Sequence, residues 1–184
     1  VLDTMAAGLV RDGQVRADRR LARTSAVYAA GRTEVPMAVH PDGILVAVHG
    51  APEPTRPDDA ACAREHGIAA AVARAYRDNP DGFLDHLRGG FALALLDLRN
   101  GRAQLAIDPM GVHSLAYAQT AHGLVFATSL DALRRHPWVA ARVGPRGVYR
   151  YALNTASPAP RTIYDDCDKL LPGYALRTDG TGTG

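Results

Sequence analysis

Phe83-Leu-Asp-His-Leu-Arg-Gly-Gly-Phe-Ala-Leu-Ala-Leu-Leu-Asp97 runs directly into Leu98-Arg-Asn-Gly-Arg-Ala-Gln-Leu-Ala-Ile107, and these two segments set the architecture. Phe91–Leu98 and Ala103–Ile107 are apolar runs of strand length, separated by Arg99-Asn100-Gly101-Arg102. Asn-Gly is a strong short hairpin signal, because both residues tolerate the positive φ that a tight turn between twisted strands requires. Upstream, Leu84 and Leu87 read as a short helix that Gly89-Gly90 ends.

The same pattern continues on both sides. Leu115–Ala118 and Leu124–Ala127 flank a second turn ending in Gly123, so a second hairpin is expected. Thr128 or Ser129 then caps a helix through Leu133 that stops at Pro137, and Pro145 opens another through Leu153. Toward the start, Ile44-Leu-Val-Ala-Val48 follows the turn Pro41-Asp42-Gly43 and reads as a buried strand. Ala51-Pro-Glu-Pro-Thr-Arg-Pro57 is a breaker-rich loop. Residues 60–77 carry helical spacing, with Ile68, Val72 and Tyr76 on one stripe. Leu2, Met5, Ala6 and Leu9 place a helix over 1–10, and 11–40 reads as irregular chain with short strands. Helices followed by consecutive hairpins predict an α+β fold with antiparallel sheets rather than a βαβ array.

Composition narrows the function. The 184 residues suffice for one domain with a real core. The net charge of +2 is spread among interspersed Arg, Asp and Glu, and the densest basic stretch, Arg16, Arg19, Arg20 and Arg23, reads as a solvated surface. No nucleic-acid partner is expected. Neither a membrane-spanning run nor a secretory leader is legible, and two cysteines, Cys62 and Cys167, do not make a disulfide framework, so the expected setting is the reduced cytoplasm. Metal-ligand spacings are absent, so no metal is expected in this segment. Thr178-Asp-Gly-Thr-Gly-Thr-Gly184 reads as a turn-rich tail, which sets the expected domain at 1–176 with 177–184 leading toward a further one.

Three stretches together carry a resemblance. Phe83–Asp97 resembles "FLxxLxGxFAFALxD" of the glutaminase domains of asparagine synthetases. Ile107-Asp-Pro-Met-Gly-Val-His-Ser-Leu-Ala-Tyr117 is similar to "RDxxGxxPLYY", and Gly123-Leu-Val-Phe-Ala-Thr-Ser-Leu-Asp-Ala-Leu133 to "GLxFASExKAL". Pro158-Ala-Pro-Arg-Thr-Ile-Tyr164, leading to Lys169-Leu-Leu-Pro-Gly-Tyr174, resembles "PxPxTIFxxIxKLPPGxxL". The likeness is good over 83–176 and weak over the first third. It implies the amino-terminal class II glutamine amidotransferase domain of the asparagine synthetase family, with a four-layer αββα sandwich of two antiparallel sheets between helical layers (Ntn-hydrolase-like). It also implies a carboxy-terminal synthetase domain as partner, which would use ATP and Mg2+, while this segment needs no cofactor of its own. A homodimer stays open.

Domains of that family hydrolyse glutamine with an amino-terminal cysteine, whose α-amine takes the thiol proton, and stabilise the oxyanion with an Asn-Gly pair. Residue 1 here is Val, not Cys, and Val1 aligns with the family's first helix rather than its first strand, which leaves open whether a cysteine-bearing strand precedes it. His49-Gly50 falls where the Asn-Gly pair of the oxyanion hole is expected, and Pro52 and Pro54 remove two backbone donors. Arg20, in Arg19-Arg20-Leu21, matches the family's glutamine-binding Arg. Ile68 stands at the Asp that grips the substrate's amine, and an Ile cannot bind an ammonium group. The family's "HRGPD" is reduced to Arg11-Asp12-Gly13.

The expectation is therefore a pseudo-glutaminase: the scaffold kept and the chemistry lost, as in beta-lactam synthetases and lasso-peptide cyclases, which adenylate a carboxylate and need no ammonia. The other reading is a working glutaminase that takes glutamine and feeds ammonia to asparagine synthesis. Cys62 and Cys167 are read as plain thiols, Cys167 with the acidic neighbours Asp165, Asp166 and Asp168. Asp108 with Gly111 is read as a structural turn. His113-Ser114 is not read as a hydrolase pair, since strand neighbours face opposite ways.

Overall fold

The computed structural model describes residue 5, the backbone of 16–21 and 26–31, residues 37–155 and residues 157–178. Among the described residues the strands are β1 (Arg16–Leu21), β2 (Ala26–Gly31), β3 (Met37–His40), β4 (Ile44–Gly50), β5 (Glu53–Pro54), β6 (Leu87–Arg88), β7 (Phe91–Asp97), β8 (Arg102–Ile107), β9 (Ala116–Thr120), β10 (Gly123–Ala127), β11 (Asp168–Lys169) and β12 (Ala175–Thr178). Five of them form an antiparallel sheet in the order β12-β8-β7-β4-β3, and three more pair as β10-β9-β11. The fold is mixed α and β with antiparallel sheets, as the alternation of hairpins required.

The predicted first hairpin is the centre of the large sheet. β7 pairs β8 from Ala92↔Ile107 to Asp97↔Arg102, with Gly101 at φ 72° in the turn. Asp97 organises that turn. Its buried carboxylate accepts from the Arg99 backbone N–H (3.1 Å), from the Arg99 guanidinium (2.8 and 2.7 Å), from Asn100 Nδ2 (3.1 Å) and from the Tyr76 hydroxyl (3.3 Å). The Arg99 hydrogen bonds are the largest cause holding the Asp97 carboxyl below its ordinary pKa.

All seven residues of β7 are buried, so both faces of this strand are covered. On one face Leu93 and Leu95 join Ile44, Val46, Val48, Val72 and Tyr76 in the main core. On the other, Ala92 and Ala94 join Leu105, Ile107, Leu115 and Leu170, with Tyr117, Leu124 and Phe126 of the small sheet packed against them. A third cluster joins Ala116, Ala118, Val125 and Ala127 to Ala132, Leu133 and the helical residue Met5. Each large apolar side chain fully buried in this way stabilises the fold by about 1.5–3 kcal/mol.

Several local expectations need correction. The helix expected over 60–77 is two helices, Pro57–His66 and Ile68–Asp78, because Gly67 between them takes φ 87° and ψ 159°, a conformation a side chain resists. The stripe survives: Val72 and Tyr76 are buried and Ile68 packs against the same cluster. The breaker-rich loop 51–57 contains β5, paired with β6, so the helix expected around Leu84 and Leu87 is a single 3-10 turn, Phe83–His86, before a strand. The short strands expected within 11–40 are, among the described residues, β1, β2 and β3. Ser129 caps the helix Leu130–Leu133, accepting from the Asp131 N–H at 3.2 Å, and Pro145 opens the helix Pro145–Asn154. The helix over 1–10 lies outside the described residues except at Met5. No helix among the described residues is long and apolar enough to cross a membrane, and no group of His, Cys, Asp and Glu there could hold a metal ion.

Candidate functional site

The large sheet brings its candidate residues to one end. His49 and Gly50 close β4, opposite Ala92 and Phe91 at the start of β7. The loop leaving β8 begins at Asp108, whose backbone N–H donates to the Phe91 carbonyl at 3.0 Å. Three chain segments therefore converge: the end of β4, the Gly89-Gly90 approach to β7, and the loop Asp108–Ser114.

Asp108 holds them together. Its buried carboxylate accepts backbone N–H bonds from Phe91 (3.3 Å), Met110 (3.0 Å), Val112 (3.1 Å) and His113 (3.2 Å). Burial opposes the charge, but these four donations outweigh it and lower the Asp108 pKa. The Asp108 carbonyl also accepts from Gly111 and Gly173, both at 3.0 Å, which ties the loop to the closing segment. Gly111 sits at φ 64° with Pro172 against it. The structural reading of Asp108 and Gly111 holds, and the carboxylate does more than form a turn: it fixes where His113 stands.

His113 stands over His49. The rings meet edge to face, with centroids 4.7 Å apart and planes at 78°. Desolvation, and then the neighbouring His113, lower the His49 pKa, which favours a neutral imidazole near pH 7. Gly50 is at φ 98°, and a Cβ there would lie 2.4 Å from the Gly90 carbonyl oxygen and 2.6 Å from His113 Nε2. Glycine at 50 is thus demanded by close packing. Chemically, the pair can offer ring N–H donors and pass a proton.

The remaining candidates separate from this pair. Ile68 is the first residue of its helix and packs against the apolar cluster that contains Val48, so it has no polar atom to offer. Arg20 lies in β1 opposite Val27; its side chain lies outside the described residues, as do Val1 and Arg11-Asp12-Gly13. Cys62 is a half-buried free thiol on the helix Pro57–His66. Cys167 is buried, and desolvation with the charges of Asp166 and Asp168 pushes its thiol up to about 12, far from a thiolate at neutral pH. Ser114 is exposed while His113 is engaged with His49. The His49–His113 contact was not visible in the sequence, since 64 residues separate the two; the Asp-Pro-x-Gly turn was the only local sign.

The family described as "Glutamine amidotransferase domain" matches residues 63–183. Asparagine synthetase [glutamine-hydrolyzing] 2 of Bacillus subtilis (strain 168) is 30% identical over 66 residues, which is 36% of this chain and 9% of that protein. Asparagine synthetase [glutamine-hydrolyzing] 3 of the same organism is 28% identical over 106 residues, 57% of this chain and 17% of that protein. The chain thus spans less than a fifth of the length of either relative.

Proposed function

The chain belongs to the glutamine amidotransferase domain family and is related to asparagine synthetases, and from that premise we propose that it is the amidotransferase-like part of an ATP-dependent, AMP-forming amide ligase, retained as scaffold after glutamine hydrolysis was lost. We infer a four-layer αββα sandwich, in which the helices Pro57–His66 and Ile68–Asp78, the five-stranded and three-stranded sheets, and the helical residue Met5 with the helix Leu130–Leu133 follow one another; the three apolar clusters between them support it.

The observation that carries the loss of activity is Ile68. The family grips the amine of glutamine with a carboxylate at this place, and here an aliphatic side chain packs into the core instead. The thiols Cys62 and Cys167 offer no replacement nucleophile. His49, at the oxyanion position, has a different reach from an amide and a partner in His113. The partner in this reading is the synthetase half, where ATP and Mg2+ act. Val148, Tyr149, Tyr151 and Leu153, exposed on the helix Pro145–Asn154, suit a face that docks against it. The setting is cytoplasmic, in keeping with two free cysteines.

One observation favours a second reading. Both relatives carry the words "glutamine-hydrolyzing" in their names, and a cysteine upstream of Val1 would supply the nucleophile. Ammonia release from glutamine by the full-length protein, beside a control with a blocked amino terminus, separates the two. The scaffold reading expects no release from a folded protein that still forms AMP from ATP with its own acceptor. Release that blocking abolishes would establish the glutaminase instead.

A further inference from the structure

We propose that Asn100, in the turn joining β7 to β8, is a modification site: its side-chain amide is lost by cyclisation onto the Gly101 nitrogen, and the aspartate or isoaspartate that results loosens the hairpin at the centre of the large sheet. The proposal does not rest on the glutamine-site reading. The chain has three asparagines, and the residues that follow them differ. Asn79 precedes Pro80, whose nitrogen has no hydrogen to give up, and Asn154 precedes Thr155, whose branched side chain crowds the attacking nitrogen. Asn100 alone of the three precedes glycine, which puts no Cβ in the way. The turn itself requires that glycine, because Gly101 sits at φ 72°. The residue that makes the hairpin therefore also makes the site.

The reaction needs only water and hydroxide. The Gly101 amide gives up its proton to hydroxide, and its nitrogen attacks Asn100 Cγ. The N–Cγ bond forms, the Cγ–Nδ2 bond breaks, and Nδ2 leaves as ammonia, taking a proton from water. A second water then opens the five-membered imide at one carbonyl or the other, which gives aspartate or isoaspartate. Asn100 and Gly101 are both exposed, so solvent reaches them. What restrains the step is the turn. Asn100 Oδ1 accepts from the Arg102 backbone N–H at 3.0 Å, and Asn100 Nδ2 donates to Asp97 Oδ2 at 3.1 Å. Cyclisation turns Cγ toward the Gly101 nitrogen and expels Nδ2, so both bonds are given up first and conversion follows local opening.

The product meets an unfavourable neighbour. Asp97 is 1% exposed, and its two oxygens already take two hydrogen bonds from the Arg99 guanidinium, at 2.8 and 2.7 Å. Replacing Asn100 Nδ2 by an oxygen removes a donor and sets a second carboxylate against that of Asp97, where like charges disfavour one another. Isoaspartate also lengthens the backbone by one methylene, inside a turn whose ends are paired as Asp97↔Arg102. The Tyr76 hydroxyl donates to the same Asp97 oxygen, so the change reaches the helix Ile68–Asp78. Ammonia set free in this way cannot exceed one equivalent per chain and needs no glutamine, which separates it from glutamine hydrolysis.

The experiment incubates the folded full chain at pH 9 beside the same chain unfolded in urea, and follows amide-to-acid conversion and isoaspartate by peptide mapping. Conversion is expected at Asn100 ahead of Asn79 and Asn154 in both samples, and at least tenfold more slowly in the folded one. Asn100→Asp makes one product directly. At pH 7 it should lower Tm by about 2–4 °C more than Asn100→Ala, since alanine loses the same hydrogen bonds without adding the charge. Failure of Asn100→Asp to fold where Asn100→Ala folds would support the same conclusion. The proposal is overturned by conversion at Asn79 or Asn154 ahead of Asn100, by equal rates in the folded and unfolded chain, by Asn100 staying intact in the folded chain on prolonged incubation, or by Asn100→Asp proving no less stable than Asn100→Ala.

Discussion

Two segments meet at the His49–His113 contact, and they are built to opposite rules. The loop Asp108–Ser114 is organised from within by a buried carboxylate that satisfies four backbone N–H groups. The segment from His49 to Pro57 has no such centre. It leaves β4 through Gly50 at φ 98°, carries Pro52 and Pro54, and is fastened piecemeal, by Ala51 N–H to the Gly90 carbonyl at 3.0 Å, by the two-residue pairing of β5 with β6, and by the Thr55 N–H (2.8 Å) and hydroxyl (3.3 Å) to the His86 carbonyl. His49 itself is exposed. The carboxylate on which the loop depends is therefore a different group from the exposed His49 imidazole, and the two can be altered separately.

The sharpest test of that separation is Asp108→Asn. Asparagine offers one oxygen and turns its NH2 toward backbone donors, so two backbone N–H groups lose their acceptor. The expected loss is about 3 kcal/mol or more, read from denaturant unfolding at pH 7. The pH dependence has a definite sign. The folded-state pKa of Asp108 lies below its ordinary value of 3.8, so the stabilisation is fully present above that value and fades as pH falls through the folded-state pKa. The gap between wild type and variant should close on acidification. A loss below about 1 kcal/mol, or a gap unchanged by acid, would show that the loop does not rest on this carboxylate.

Ile68→Asp works on the other side of the comparison, since it restores the residue type that the family places there. The helix N-terminus welcomes a carboxylate by about 0.3–1 kcal/mol, but the apolar contact with the main core is lost. A net loss of about 1 kcal/mol is expected, with no glutamine binding by calorimetry. Binding gained by this one change would mean that the rest of the glutamine site is intact and that the scaffold reading fails.

What was legible in the sequence divides along the same line. Phe91–Ile107 declared its hairpin because strand-length apolar runs and Asn100-Gly101 are local signals. Ser129 and Pro145 declared their helices for the same reason. The break at Gly67 was missed because the apolar stripe of Ile68, Val72 and Tyr76 continues across a single glycine whose φ the sequence does not reveal. β5 and β6 were missed because a two-residue bridge between Glu53–Pro54 and Leu87–Arg88 has no period to detect. At the site, the candidate positions His49 and Ile68 were named from the motifs, whereas the contact between His49 and His113 was not visible. It arises because Asp108 gathers N–H groups from the start of β7 and from its own loop, and no spacing rule encodes that.

His49→Asn should have the smallest effect, and for that reason it sharpens the comparison most finely. It recreates the Asn-Gly pair at an exposed position, so at pH 8 unfolding should differ from wild type by no more than about 0.5 kcal/mol. The sign then changes with pH. His49 has a folded-state pKa below 6.5, so the unfolded chain takes up its proton first, and wild type loses stability as pH falls below that value. The variant lacks this titration, so it should gain on wild type between pH 8 and pH 5. A variant that is instead destabilised at pH 8 by more than about 1 kcal/mol would mean that the imidazole pair is itself part of the scaffold, and the division between supporting and reactive groups at this cleft would have to be redrawn around His49 and His113 together.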